Sequence, residues 1–249
     1  MGQMYLVLLF SVFAVVASQQ CAWLEAISNV DMSMKLGKSG FHRDLQVSLA
    51  IGSKSRFMEC QLLYRFVIPA GGYIDMDSVN NSMRFHTVYP SVKFDVEAPA
   101  EASKNQAVLL YGHKVYRKVF LINDSFALPV HMRYHKAVEN GEDAEVEFKA
   151  PEIFVRCSTD QEDYTKCAKG GFKWPCDVSD KKKKCEWVRI PKKKDVKAIG
   201  IMPRGNLNHL NVVAVVTFLF VFTAAAFIVA PLIPLDPKKQ DKEESKKRE

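Results

Sequence analysis

The residues able to do chemistry in this sequence are six cysteines, six histidines and two Asn-x-Ser sequons. Cys21, Cys60, Cys157, Cys167, Cys176 and Cys185 form an even set, the last four separated by nine, eight and eight residues. No Cys-x-x-Cys occurs, so neither a zinc ribbon nor a dithiol redox motif is supported. In an oxidising compartment such a set reads as disulfides, and spacing does not choose among the fifteen possible pairings. The stretch Thr159–Lys184 is rich in Lys, Asp and Gly and has little apolar periodicity, so disulfides are what would hold it. Closing a loop of about 15 residues contributes roughly 3 kcal/mol in the chain-entropy model.

The histidines point nowhere catalytic. His42-Arg43-Asp44 matches the catalytic tripeptide of protein kinases, but the Gly-rich loop, strand lysine and Asp-Phe-Gly of that signature are missing. His131 and His135 are four apart. On a strand that spacing separates them by roughly 13 Å, too far for one metal, and Pro129 suits a strand better than a helix. No Gly-x-Ser-x-Gly, phosphate-cradling loop or close carboxylate pair is present. Catalytic, cofactor and metal residues are therefore all expected to be absent. The sequons Asn80-Asn81-Ser82 and Asn123-Asp124-Ser125 offer N-glycosylation at Asn80 and Asn123 if the segment is lumenal. A tight turn is expected at Asn123, which puts Asn80 ahead.

The ends of the chain say where this chemistry takes place. Met4–Ala17 is almost wholly apolar and runs into the small residues Val16-Ala17-Ser18, the form of a signal peptide over residues 1–18 that lacks a basic start. Near the other end no charged residue falls between Arg204 and Asp236. Roughly 20 helical residues cross a hydrocarbon core of about 30 Å, and backbone groups in lipid must pair internally. A transmembrane helix is expected over residues 207–235. The polar tail 236–249 ends Lys246-Lys247-Arg248-Glu249, placing Lys246 and Lys247 where a dilysine retrieval signal would stand. The expectation is a single-pass type I protein of the endoplasmic reticulum membrane with its folded part in the lumen.

The net charge of +7 is concentrated. Lys181–Arg204 holds ten basic residues against Glu186 and Asp195, and the rest is close to neutral. The high pI thus describes a basic collar, expected as a solvated juxtamembrane stalk over residues 192–206. It does not imply nucleic-acid binding.

Period-two patterning dominates residues 19–191, expected as one lumenal domain. Leu45, Val47, Leu49 and Ile51 alternate with Gln46, Ser48 and Ala50, and Cys60, Leu62, Tyr64, Phe66 and Ile68 share a second face. Pro69-Ala70-Gly71-Gly72 then breaks the chain. Further short strands are expected at Phe85–Tyr89, Val92–Val96, Ala107–Tyr111, Val115–Ile122, Ala144–Phe148, Ile153–Cys157 and Trp187–Ile190. No dozen residues in this region carry a helical apolar stripe. The fold class that follows is mainly β, an antiparallel β-sandwich followed by one C-terminal transmembrane helix.

Five stretches, in order, resemble one family. They are Gly40-Phe41-His42-Arg43-Asp44-Leu45, then Ile68-Pro69-Ala70-Gly71 with Tyr73, then Phe94-Asp95-Val96-Glu97-Ala98-Pro99, then Leu128-Pro129-Val130-His131-Met132-Arg133-Tyr134-His135, and last Cys157, Cys167, Cys176 and Cys185 leading into Trp187. Together they resemble the PIG-X family, accessory subunits of GPI mannosyltransferase I, over roughly Gly40 to Trp187. The resemblance implies a non-catalytic subunit without cofactors. Its partner would be a multi-span, PIG-M-like catalytic subunit in the endoplasmic reticulum membrane, which transfers the first mannose from dolichol-phosphate-mannose to the GPI precursor. The rival readings are a type I cargo receptor or lectin-like module and a lumenal hydrolase. The sequence offers the first neither a calcium cluster nor a cytosolic coiled coil. The second needs a nucleophile–base pair, which spacing does not exclude when the partners are distant in sequence.

Overall fold

The computed structural model describes residues 22–89, 93–157, 172–180, 182–191 and 194–232. Cys21, Cys167, Lys246 and Lys247, with the expected signal peptide and tail, lie outside them. The chain divides into two compact units, residues 1–136 with 143–204, and residues 137–142 with 205–249.

The larger unit is an antiparallel β-sandwich. Twelve strands are defined among the described residues: β1 Ile27–Gly37, β2 His42–Phe57, β3 Cys60–Ile68, β4 Gly72–Tyr73, β5 His86–Tyr89, β6 Gln106–Gly112, β7 Val119–Met132, β8 Ala144–Lys149, β9 Glu152–Cys157, β10 Phe172–Pro175, β11 Lys184–Ile190 and β12 Lys197–Met202. One sheet runs β1-β2-β7-β4, the other β10-β11-β9-β3-β6-β5, and β12 pairs with β8. Alternation places the core. Leu45, Val47, Leu49 and Ile51 of β2 and Ile122, Leu128 and Val130 of β7 are buried against Leu62, Tyr64, Phe66 and Ile68 of β3.

The outer face of the six-stranded sheet is apolar too. Leu63, Leu109, Tyr111, Phe154 and Trp187 form a second buried cluster, with Trp174 and Val178 packed on it. The backbone oxygen of Pro175 accepts from Tyr111 Oη at 2.9 Å, and the Cys176–Cys185 disulfide closes the β10–β11 hairpin. A second disulfide joins Cys60 to Cys157, directly opposed on β3 and β9 with their Cα atoms 3.9 Å apart.

Several stretches differ from expectation. In the expected strand Val115–Ile122, pairing as a strand begins only at Val119. Lys197–Met202, inside the expected stalk, forms β12, with Ala198, Gly200 and Met202 buried and Ile199 and Ile201 exposed. Its full register with β8, from Lys197↔Lys149 to Met202↔Ala144, satisfies the backbone that a stalk would leave in water. The described part of the expected strand Val92–Val96 is a loop, because Asp95 Oδ1 accepts from the N–H groups of Glu97 and Ala98, both at 3.2 Å, and turns the chain.

In the smaller unit the 137–142 loop is pinned to the segment that opens the helix. Val138 N–H donates to Gly205 O at 3.0 Å and Leu207 N–H to Val138 O at 2.9 Å. The apolar helical segment Leu207–Leu232 is 26 residues long, and every residue in it is exposed. Such a surface is tolerated in a bilayer and strongly disfavoured in water.

Candidate functional site

Four of the five quoted stretches meet at one end of the sandwich. Gly40–Leu45 leads into and opens β2, Ile68–Tyr73 joins β3 to β4, Phe94–Pro99 is a loop, and Leu128–His135 runs off the end of β7. Gly40 turns the chain at a φ of +74°, which a side chain rarely adopts. Gly71 is required by close approach, since a Cβ there would fall 2.6 Å from Val146 Cγ2.

Arg133 stands at the centre and is only 4% exposed. Its Nη1 donates to the backbone oxygens of Asp95 and Ala98, both at 2.6 Å, and its guanidinium lies 4.8 Å from the Tyr73 ring centroid. Its backbone N–H donates to Gly71 O at 2.9 Å. One side chain therefore ties the 94–99 loop and the β3–β4 turn to β7. Burial pulls its pKa below the ordinary guanidinium value, opposed by Tyr73 and Asp95. Its Nε has no hydrogen-bond partner among the described residues.

His131 is opposite Tyr73 in β4, with Nδ1 3.2 Å from Tyr73 Oη and Nε2 3.7 Å from Asp75 Oδ2. Burial and neighbouring His42 hold its pKa below the usual imidazole value, against the pull of Asp75. Asp75 is occupied otherwise. It caps the helix Met76–Ser82, its Oδ1 accepting from Asp77 N–H at 3.0 Å and its Oδ2 from Ser78 Oγ at 2.7 Å. The Ser78 bond is the main reason its carboxyl stays low. A 3.7 Å separation is not a hydrogen bond, and the Asp75 carboxylate is already engaged by Asp77 N–H and Ser78 Oγ. His135 lies beyond β7, its pKa lowered by burial and by Arg204. Among the described residues no three His, Cys, Asp or Glu converge to hold a metal.

Around this centre the surface is built for contact. Phe41 and Tyr134 pack with ring centroids 4.5 Å apart beside a groove of about 610 Å³. Tyr134 is 74% exposed and Val96 53%. Exposed aromatic and aliphatic side chains around a rigid, tethered scaffold suit recognition of a partner.

A buried polar network lies further along β7. Asp124 Oδ2 accepts from Tyr64 Oη at 2.6 Å and from His86 Nε2 at 2.9 Å, with the His86 and Asp124 side chains 5% and 8% exposed. Burial alone would raise the Asp124 carboxyl, but these two bonds outweigh it and hold the pKa low. Burial is also the first reason that the Tyr64 phenol is pushed well up. Neither Arg133 nor this network stands out as a site in the sequence. The available signal was an acid at an inward position between Ile122 and Phe126.

The expected modification sites are dispersed. Asn80 is exposed on the Met76–Ser82 helix. Asn123 is exposed in mid-β7, paired with Ala50, and not in a tight turn. Asn123 O accepts from Tyr116 Oη at 2.8 Å.

The PIG-X / PBN1 family model matches residues 38–233, which include all four converging stretches, both disulfides and the apolar helix. The chain belongs to the PIG-X / PBN1 family. Three mammalian relatives bear the name GPI alpha-1,4-mannosyltransferase I, stabilizing subunit. The Homo sapiens protein is 30% identical over 226 residues, covering 87% of this chain and 85% of the relative. The Rattus norvegicus protein is 28% identical over 211 residues, 81% of each chain. The Mus musculus protein is 28% identical over 211 residues, 81% of this chain and 80% of the relative. The PIG-X / PBN1 resemblance read from the sequence therefore extends past Trp187 to the end of the described helix.

Proposed function

We propose that this chain is the non-catalytic stabilising subunit of a GPI α-1,4-mannosyltransferase I, supporting transfer of the first mannose from dolichol-phosphate-mannose to the GPI precursor. The observation that carries this reading is the family match over residues 38–233, joined to relatives of that name aligned over four-fifths or more of both chains. The site agrees in kind. Arg133 braces loops, Asp75 caps a helix and Asp124 is enclosed by Tyr64 and His86, so these groups already have structural work.

On this reading the partner is a multi-span, PIG-M-like catalytic subunit in the endoplasmic reticulum membrane. The chain is a type I protein: residues 1–18 are removed, the sandwich is lumenal, residues 207–235 span the bilayer, and Lys246 and Lys247 return escaped molecules. Asn80 and Asn123 then face the glycosylation machinery. A subunit that binds only the folded form of its partner raises the folded population by mass action. Depleting this chain from cells and measuring both the amount of catalytic subunit and first-mannose transfer tests the reading. Both should fall together and recover with the full chain. Loss of transfer with undiminished catalytic subunit would overturn it.

A further inference from the structure

We infer that the open edge of β7 beside the Met76–Ser82 helix receives an extended, acidic segment of the partner polypeptide as a short added strand. This rests on the stabilising-subunit reading and names the surface and the chemistry of its contact.

On one side β7 pairs with β2 along most of its length, from Val119 to His131. On the other it pairs with β4 at only two positions, His131↔Tyr73 and Met132↔Gly72. Among the described residues nothing else pairs with that edge. Hydrogen-bond direction alternates along an antiparallel strand. Met132 N–H donates towards β2, to Phe41 O, whereas Arg133 N–H donates towards β4, to Gly71 O. Odd-numbered residues of β7 therefore present their backbone to the open edge, as the bond from Tyr116 Oη to Asn123 O confirms. That leaves the Ala127 N–H and the carbonyls of Ser125, Ala127 and Pro129 facing a groove of about 630 Å³ lined by these residues. Unpaired edge groups of this kind template strand addition. Pro129 lacks an N–H, which blunts indiscriminate pairing and leaves a register of about five residues, roughly 17 Å long.

The charge of the groove selects the occupant. Lys38, Arg43 and Arg84 line it, and Asp44 is the one carboxylate among the lining residues. Lys38 already neutralises Asp44 at 2.9 Å. The Arg43 guanidinium is held by the backbone oxygens of Gly40 and Lys38, at 2.8 and 2.7 Å. Among the described residues Arg84 has no carboxylate partner, and neighbouring Phe85 is 70% exposed at the rim. Backbone groups fix an extended chain, the cationic wall selects Asp or Glu side chains, and Phe85 offers an apolar anchor.

The test places a photo-activatable benzophenone amino acid at Ala127, or at exposed Ser33 on β1 as control, in the full-length protein. Each is expressed in cells that make the complex, irradiated, and purified under denaturing conditions. The Ala127 probe should capture the mannosyltransferase catalytic chain through an Asp- or Glu-containing peptide, and the Ser33 probe should not. Arg84→Glu should lower capture at least threefold at equal protein amount, whereas Arg84→Lys should not. Capture from Ser33 with silence at Ala127, a crosslinked peptide without acidic residues, or capture of lipid alone would overturn the inference. If the unaltered chain co-purifies with the catalytic subunit while Ala127 stays silent, only this inference falls. If no mannosyltransferase co-purifies, the stabilising-subunit reading falls with it.

Discussion

His42 and His131 face each other across the β2–β7 pairing, their ring centroids 4.2 Å apart and their planes inclined at 62°. Burial, with this contact, holds the His131 pKa below the usual imidazole value, and His135 is lowered by burial and Arg204. Between the folded values and about 6.5 the unfolded chain binds more protons, so stability rises with pH there. Thermal unfolding of the full chain in detergent should give a falling Tm as pH drops from about 7.5 towards the folded pKa values. His131→Gln with His135→Gln should flatten that dependence. An unchanged slope in the double variant would assign the pH response to other groups.

Asp124 offers a second test, because its carboxylate is buried with Tyr64 and His86 as partners. Removing the buried carboxylate leaves two buried donors without a partner, at a cost of about 1–3 kcal/mol each. Asp124→Ala should destabilise by that order while preserving the Asn123 sequon, so glycan loss cannot account for the change. The depressed Asp124 pKa means its stabilisation is complete above the usual carboxylate value and is lost as pH falls through the folded value. A difference below about 1 kcal/mol between Asp124→Ala and the natural chain would show that the network is dispensable.

Which parts of this fold could be read from the sequence follows from where apolar residues point. In β2 and β3 large branched and aromatic residues alternate inward, and the expected run Cys60–Ile68 is a strand with those same ends. β12 hides because its inward residues are Ala198, Gly200 and Met202 while Ile199 and Ile201 face out, so the strongest strand formers are on the wrong face. In β1, Val30, Met32, Met34 and Leu36 do alternate, but they are only half-buried, and Asp31, Ser33 and Lys35 lower the strand signal. Asp124 and Pro129 interrupt the 14 residues of β7 in the same way. The site was harder still. Arg133 became central only when the 94–99 loop was brought against β7 from 38 residues away.

The disulfides differ in the loops they close. Cys60 and Cys157 are 97 residues apart in sequence and Cys176 and Cys185 are nine. Chain entropy alone assigns about 4.7 kcal/mol to the longer loop and about 2.6 kcal/mol to the shorter. Cys60→Ala with Cys157→Ala should therefore lower the Tm more than Cys176→Ala with Cys185→Ala. Alkylation of the denatured, non-reduced protein should leave all four of these cysteines unlabelled. Label on Cys60 or Cys157 would contradict the pairing.

The non-catalytic assignment is tested at the residues that most resemble chemistry. His42 and Asp44 lie at the start of β2, Asp44 bound to Lys38, and His131 and His135 have depressed pKa values in a partly buried setting. Asp44 is held by Lys38, and His131 lacks a hydrogen-bonded carboxylate to act with. Alanine at His42, Asp44, His131 or His135 should lower first-mannose transfer only in proportion to the amount of assembled complex. The ratio of transfer rate to catalytic subunit, measured by immunoblot in the same membranes, should stay within about twofold of the natural chain, or about 0.4 kcal/mol in activation free energy. A catalytic group would behave differently, since losing a general acid or base lowers the rate 10²- to 10⁴-fold at constant enzyme. A fall of that size at any one of the four, with normal abundance of the catalytic subunit, would place this chain in the reaction itself.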